Sequence, residues 1–305
     1  MKQVLIIGCG YLGSHLANYF NQKKNRVKII GRKSVYTEIL HQEIKFYNID
    51  INNIDDVKKY IEKDDTVIYA AGSLNATNLF SDIIPDMQEY YPSFINLLDI
   101  CENVGIQKFV FLSSAGTVYG STDTPAREDF SLNPTNIYGL QKVFFENLIK
   151  IKHHETNRLP YLILRVSNPY GGFQNPNKNQ GIIPVLIKKA LADDEFIFWG
   201  NVNAIRDFIY IDDFLEAIYL SIQIEDSEVI NIGSGIGTTI KEVISIVEQS
   251  LQKKMNIVHK NIGQKTIMSN KICVKKLNLK VGYYPTFTLG DGISIMISSI
   301  YRETK

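Results

Sequence analysis

Only three cysteines, Cys9, Cys101 and Cys273, occur in 305 residues, far apart and odd in number. That argues against a disulfide framework and fits a reducing, cytoplasmic setting. No apolar run reaches the length of a bilayer span, and Val4-Leu5-Ile6-Ile7 behind Met1 is too short for the core of a secretion signal, so the N-terminus reads as a buried strand. Neither sign of charge dominates: 33 Lys and Arg stand against 32 Asp and Glu, for a formal net charge of +1. Nucleic acids and membrane surfaces select a clustered basic excess, so neither is an expected partner. The five histidines lack metal-ligand spacing, and the adjacent His153 and His154 read as a solvated helix end, so no metal site is expected. No internal repeat or low-complexity tract appears. The remaining composition, 45% hydrophobic and 21% charged, is that of a globular protein acting on a small ligand.

Short β-rich runs alternate with longer amphipathic stretches. Val4 to Ile7, Val27 to Ile30, Lys45 to Tyr47, Thr66 to Ala70, Phe109 to Leu112 and Leu162 to Leu164 are the expected strands, with helices between them. Apolar runs without strict alternation are strands covered on both faces, and the βαβα order makes the sheet parallel and doubly wound, a Rossmann-like α/β architecture. From Ser167 the texture changes to a loop rich in Asn, Gly and Pro, running from Asn168 to Gly181, and then to shorter mixed elements. The division expected is a nucleotide-binding part over 1–166, with later strands returning to it from about 206–235, and a smaller substrate-binding region over 167–305.

Gly8-Cys9-Gly10-Tyr11-Leu12-Gly13 follows the first strand directly and opens an apolar helix at about Tyr11. Gly8 permits the tight turn, Gly10 lets a pyrophosphate approach the backbone, and Gly13 lets the helix pack closely. The free N–H groups of the helix start, Tyr11 and Leu12 among them, point a positive dipole end at the phosphates. A dinucleotide is therefore expected. The second strand ends in Gly31-Arg32-Lys33-Ser34, with no carboxylate to bond a ribose 2′-hydroxyl. Two cations and a hydroxyl suit a 2′-phosphate, which favours NADP(H) over NAD(H). Asp50 and Ile51 after the third strand are placed to meet the adenine, and Ala70-Ala71-Gly72 after the fourth lets backbone pass close to the cofactor.

Tyr138 and Lys142 are four residues apart, on one helical face. Tyr19/Lys23 and Tyr301/Lys305 share that interval, so spacing alone decides nothing. The setting of Tyr138 does: Pro134 and Asn136 mark a helix start before it, and the hydroxyl-rich run Ser113 to Gly120 follows a strand. A phenol, with a pKa ordinarily near 10, is a poor base at neutrality. A neighbouring ammonium and a cationic nicotinamide lower that pKa, so Tyr138 can exchange a proton while Thr117 or Ser114 holds the substrate oxygen.

These residues resemble the extended short-chain dehydrogenases, in particular the nucleotide-sugar epimerase, dehydratase and ketoreductase group. The likeness spans nearly the whole chain: Gly8 to Leu16, Ser113 to Gly120, Tyr138 to Lys142, Arg165 to Gly171, Trp199-Gly200 with Arg206 to Asp213, and Asn231 to Gly235. The resemblance implies that Tyr138 and Lys142 are the catalytic pair, that Ser167 lies near the nicotinamide, that Asn168 and Arg206 hold the diphosphate of a nucleotide sugar, and that the chain forms a homodimer through helices near 82–104 and 138–156. Arg206 has its own rationale in the donors a diphosphate needs, with Asp212 or Asp213 the competing ion-pair partners. Departures from the group's pattern are Ile7 at its first glycine, Ala115 where its catalytic Ser or Thr stands, Tyr90 at a cofactor-contacting asparagine, and the missing Arg and Asp around Lys265 to Asn270. With Ala115 in place, the hydroxyl role passes to Thr117 ahead of Ser114.

The group's dehydratases carry an Asp-Glu pair where this chain has Gly116 and Thr117, which argues against water elimination. The basic end of the second strand then favours reduction of a nucleotide-linked 4-keto-hexose over 4-epimerisation, which recycles a bound NAD. A non-catalytic nucleotide sensor on the same fold has no need of Tyr138, Lys142 and Thr117.

Overall fold

The computed structural model describes residues 2–72, 74, 78, 80–174, 181–260 and 267–303. In chain order the elements are β1 Gln3–Ile7, α1 Tyr11–Gln22, β2 Arg26–Gly31, β3 Lys45–Asn48, α2 Ile54–Val57, β4 Thr66–Tyr69, α3 Ile83–Val104, β5 Lys108–Ser114, α4 Ala115–Val118, α5 Ile137–Thr156 and β6 Tyr161–Val166. Then come β7 Asn168–Tyr170, α6 Ile182–Leu191, β8 Phe196–Trp199, β9 Ile205–Tyr210, α7 Ile211–Ser221, β10 Glu228–Ile232, β11 Gly237–Thr239, α8 Ile240–Leu251, β12 Ile257–Lys260, β13 Ser269–Asn270, α9 Lys275–Val281 and α10 Leu289–Glu303. Two compact units result, one of Met1–Val118, Leu132–Arg165 and Ile218–Ile230, the other of Tyr119–Ser131, Val166–Ala217 and Asn231–Lys305.

The first unit is built on a seven-stranded sheet in the order β10-β6-β5-β4-β1-β2-β3, and β3-β2-β1-β4-β5 run parallel. Val4, Leu5, Ile6 and Ile7 are all fully buried, as continuous apolar strands covered on both faces must be. The chain winds outward from β1 to β2 and β3, then crosses back to β4 and onward to β5. Strand order therefore reverses between β1 and β4, and the crevice at their carboxyl ends is where such sheets take ligands. Both the glycine turn and Ala70-Ala71-Gly72 lie at those ends.

Helix α1 buries Gly13, Leu16, Ala17 and Phe20, the i, i+3, i+4, i+7 stripe of an amphipathic helix. Asn136 caps α5, its side chain accepting from Gly139 N at 2.8 Å, and Asn157 closes the helix in the left-handed conformation. Helix α3 packs on α5 through Phe94 and Phe145, whose rings stack at 3.9 Å, in a cluster with Tyr69, Tyr90, Phe109 and Phe111. Truncating such a core phenylalanine costs roughly 3–5 kcal/mol.

In the second unit, β9 is the hub of a four-stranded sheet, pairing with β7, β11 and β13, while β8 and β12 form a separate parallel pair. Of the strands expected to return to the large sheet over about 206–235, β9 instead joins this small sheet. Strand β10 makes that return among the described residues, whereas β9 spends its hydrogen bonds on three short neighbours. Residues 119–131 also belong to this unit and not to the first.

Candidate active site

Each glycine of the β1–α1 turn has a separate physical reason. Gly8 has φ of +113°, and a Cβ there would lie 2.7 Å from Ala71 N; a Cβ on Gly13 would lie 1.9 Å from Gly8 O. Both are demanded by packing. Around Gly10, by contrast, a Cβ would meet nothing within 4 Å, so no neighbouring protein atom requires glycine there. Open space over a bare backbone at a helix N-terminus is what a pyrophosphate needs, and the turn fits a dinucleotide. Gly31 answers to the protein instead: its Cβ would lie 2.6 Å from Cys9 N.

Past Gly31, Arg32 and Lys33 are exposed. Neither side chain has a carboxylate partner among the described residues, whereas Ser34 spends its hydroxyl on Cys9 O at 3.3 Å and caps the short turn at Tyr36. Asp50 is exposed and accepts from Asn52 N at 2.9 Å, and Ile51 packs against the apolar core. Ala70 and Ala71 are half-buried, and Ala70 N donates to Ile7 O at 2.9 Å. Tyr90 is buried in the aromatic core beside Tyr69.

Tyr138 sits in the first turn of α5, half-buried, with the Ser114 hydroxyl beside its phenol. Burial pushes the phenol up to about 12, against the smaller lowering effect of the neighbouring Ser114 hydroxyl. Lys142, one turn on, is 4% exposed; its Nζ donates to Leu112 O at 2.9 Å and lies 4.8 Å from the Phe111 ring centre and 5.5 Å from that of Tyr138. Burial brings this ammonium down to about 8, with the Glu146 carboxylate acting the other way. The hydroxyl brought to the phenol is thus that of Ser114. Thr117 is buried, and its Oγ1 has no hydrogen-bond partner among the described residues. The sequence ranks Thr117 ahead of Ser114, but which one faces Tyr138 depends on how β5 runs into α4.

In the second unit a cavity of about 320 Å³ is walled by β7, β8, β9 and the start of α6. Arg206 lines it without a carboxylate partner among the described residues; Nη1 reaches only Ile205 O, at 2.8 Å, and burial depresses the guanidinium pKa. Asp213 is not its partner, being engaged by Tyr283, Thr286 and Phe287. Asn168 lines the same cavity and donates to Asp207 O at 2.7 Å. Ser167, buried, lies beside the Asp207 carboxylate, which accepts from Ser234 and Gly235 and is raised to about 6 by burial. Trp199, 55% exposed, and Phe208 supply flat apolar walls. Ile182 to Pro184 complete the cavity; sequence reading missed them, although a helix starting after the Asn-rich loop was a signal. Residues 175–180 of that loop lie outside the described residues, as do Lys265 and Thr266 among the positions read for the missing Arg and Asp, and Lys305 of the third Tyr/Lys pair. Among the described residues no His, Cys, Asp or Glu group could hold a metal ion, and no helix is long and apolar enough to cross a membrane.

A parallel sheet with its switch point at a glycine turn, and a tyrosine–lysine pair on a strand-bonded helix, define a nucleotide-dependent enzyme. Residues 4–233 match the NAD dependent epimerase/dehydratase family, and the chain belongs to it. It is 35% identical over 237 residues to dTDP-4-dehydro-6-deoxyglucose reductase of Escherichia coli, covering 77% of this chain and 74% of that one. It is 29% identical over 294 residues to a putative UDP-glucose 4-epimerase of Methanocaldococcus jannaschii, covering 95% of each. Among solved structures, the fold matches UDP-glucose 4-epimerase with UDP-glucose from Thermotoga maritima with a TM-score of 0.91, at 23% identity over 99% of this chain and 100% of that one.

Proposed function

We propose that the chain reduces a nucleotide-linked 4-keto-hexose with NADPH. The observation that carries this reading is the end of β2, Gly31-Arg32-Lys33-Ser34, which has no carboxylate and where Arg32 and Lys33 stand exposed without carboxylate partners among the described residues. The 35% identical relative, itself named as a reductase of a dTDP-linked 4-keto sugar, supports it. Gly8 to Gly13, Asp50, Ile51, Ala70 to Gly72 and Ser167 are the residues that would hold the cofactor. When bound, the reduced nicotinamide supplies the hydride that turns the C4 carbonyl into an alcohol. The chain's own part is the proton and the grip: Tyr138, which burial keeps protonated, gives its proton to the carbonyl oxygen, Ser114 steadies the phenolate, and the Lys142 ammonium offsets its charge. Thr117 is the hydroxyl that would hold the substrate's carbonyl oxygen, with Ser114 the alternative. Arg206 and Asn168 take the substrate's diphosphate by charge-assisted hydrogen bonds.

A second reading, 4-epimerisation, is favoured by the relative of that name that spans 95% of both chains. Purified protein incubated with UDP-, dTDP- and GDP-linked keto-hexoses and hexoses, with and without NADPH, separates the two. NADPH-dependent formation of the nucleotide-linked hexose with a hydroxyl at C4 carries the proposal; conversion between two hexoses without added cofactor overturns it. Absence of turnover with every sugar overturns it as well and revives a nucleotide-binding sensor.

We also infer a homodimer. Ile84, Met87 and Ile95 on α3 and Leu140, Phe144 and Ile151 on α5 are exposed apolar residues on two mutually packed helices, a surface suited to a second copy. Sedimentation of Leu140→Glu as a monomer, against a dimeric parent, is the expected result; a monomeric parent contradicts it.

A further inference from the structure

The last three residues of β5 each face one of three residues spaced a turn apart on α5. The Ser114 hydroxyl lies beside the Tyr138 phenol, the Leu112 carbonyl accepts from Lys142 Nζ at 2.9 Å, and Ser113 Oγ donates to Glu146 Oε1 at 2.6 Å. Tyr138, Lys142 and Glu146 recur at intervals of four on one face of α5. Only the first two contacts belong to the proton-transfer group. The third is a fully buried carboxylate that the reaction does not consume.

Glu146 is also held from β6. Arg165, 2% exposed, places Nη2 2.7 Å from Oε2 and Nε 3.1 Å from Oε1, and Lys150 lies 3.5 Å away. Such a pair is a weak source of stability, because removing two charges from water offsets most of their attraction. What it provides and apolar packing does not is register. A greasy helix face tolerates sliding, whereas hydrogen bonds of this length do not.

We propose that Glu146, gripped by Ser113 and Arg165, is a positioning residue: it fixes α5 along β5 so that Lys142 stays on the Leu112 carbonyl and Tyr138 beside Ser114. Its charge, one turn from Lys142, also favours the ammonium form against burial. The other groups facing this cluster are Lys150 on α5 itself, Arg165 and Tyr161 from β6 and Ser113 from β5; on α3, Asp86 bonds Gln141 instead. The proposal rests on Tyr138 as the proton donor.

Its test uses Ser113→Ala, which leaves the Glu146–Arg165 pair intact, with Glu146→Gln as the more drastic variant and Ser113→Thr as the conservative rescue. The first readout needs no turnover: the side-chain resonance of Tyr138 in protein with isotope-labelled tyrosine, assigned by its loss in Tyr138→Phe. We expect it to shift or broaden in Ser113→Ala, and to return in Ser113→Thr, while the melting temperature holds. The second readout is kinetic. We expect kcat to fall about tenfold with KM unchanged, and the loss to vanish in a Tyr138→Phe background, because the two residues act as one unit. An unmoved Tyr138 resonance in both Ser113→Ala and Glu146→Gln, or a loss of kcat that simply adds to that of Tyr138→Phe, overturns the proposal. Wild-type protein that turns over no keto-sugar contradicts the proposed function and leaves the resonance test standing.

Discussion

Lys142 in the first unit and Arg206 in the second are both cations drawn out of water, and the protein treats them in opposite ways. Lys142 is spoken for: it bonds the Leu112 carbonyl, lies over the Phe111 ring and has Glu146 one turn away. Arg206 bonds only a neighbouring carbonyl, faces a cavity, and has no carboxylate partner among the described residues. An ammonium can release its proton near neutrality when buried; a guanidinium cannot. The first unit thus keeps a cation whose charge can be tuned, as proton chemistry needs. The second keeps a permanent one waiting for an anion.

If that contrast is right, the largest effect comes from the group that the tuned cation serves. Tyr138→Phe should lower kcat about 10³-fold, the range of a lost general acid. Cofactor affinity and melting temperature should stay near the parent's. Loss of both kcat and fold would mean that Tyr138 is a core residue.

Arg206→Met should act the other way, raising KM for the nucleotide sugar by roughly 10- to 100-fold, the cost of about 1.5–3 kcal/mol for a hydrogen bond to a charged group. Because an unpaired, half-buried charge is removed, thermal stability should hold or rise; a sharp fall would show that Arg206 has a structural partner. Replacing Arg32 and Lys33 together with Asp and Ser should raise the Kd for NADPH about tenfold and leave that for NADH unchanged or lower, as titration would reveal.

The smallest effect is the dependence on pH. The folded-state pKa of Lys142 is depressed to about 8, so its charge is present below that pH and lost above it. Reduction generates a phenolate on Tyr138, which the ammonium stabilises. The reductive kcat should therefore decline several-fold as pH rises through about 8, and Lys142→Arg should flatten that limb, since guanidinium keeps its charge.

Sequence pattern located the first unit far better than the second, for physical reasons. Val4–Ile7 and its companions are continuous apolar runs of the kind that only a doubly covered strand produces. Gly8 and Gly13 leave a signature because any side chain there would strike backbone. Strand β9 carries no comparable mark: its place in a separate small sheet follows from three short partners scattered from residue 168 to residue 270. The preference for Thr117 over Ser114 was likewise a matter of counting positions, and a one-residue change in how β5 enters α4 decides it. The Ser113–Glu146–Arg165 cluster was invisible for the same reason, since it exists only once strand and helix are in register.

The central claim is that C4 of a keto-sugar receives its hydrogen from added NADPH, and isotope transfer tests this most directly. With NADPH deuterated at the transferable position and a nucleotide-linked 4-keto-hexose, the account predicts one deuterium at C4 of the product for each NADPH consumed. Product that carries no label, or sugars interconverted while the labelled NADPH remains intact, would contradict it.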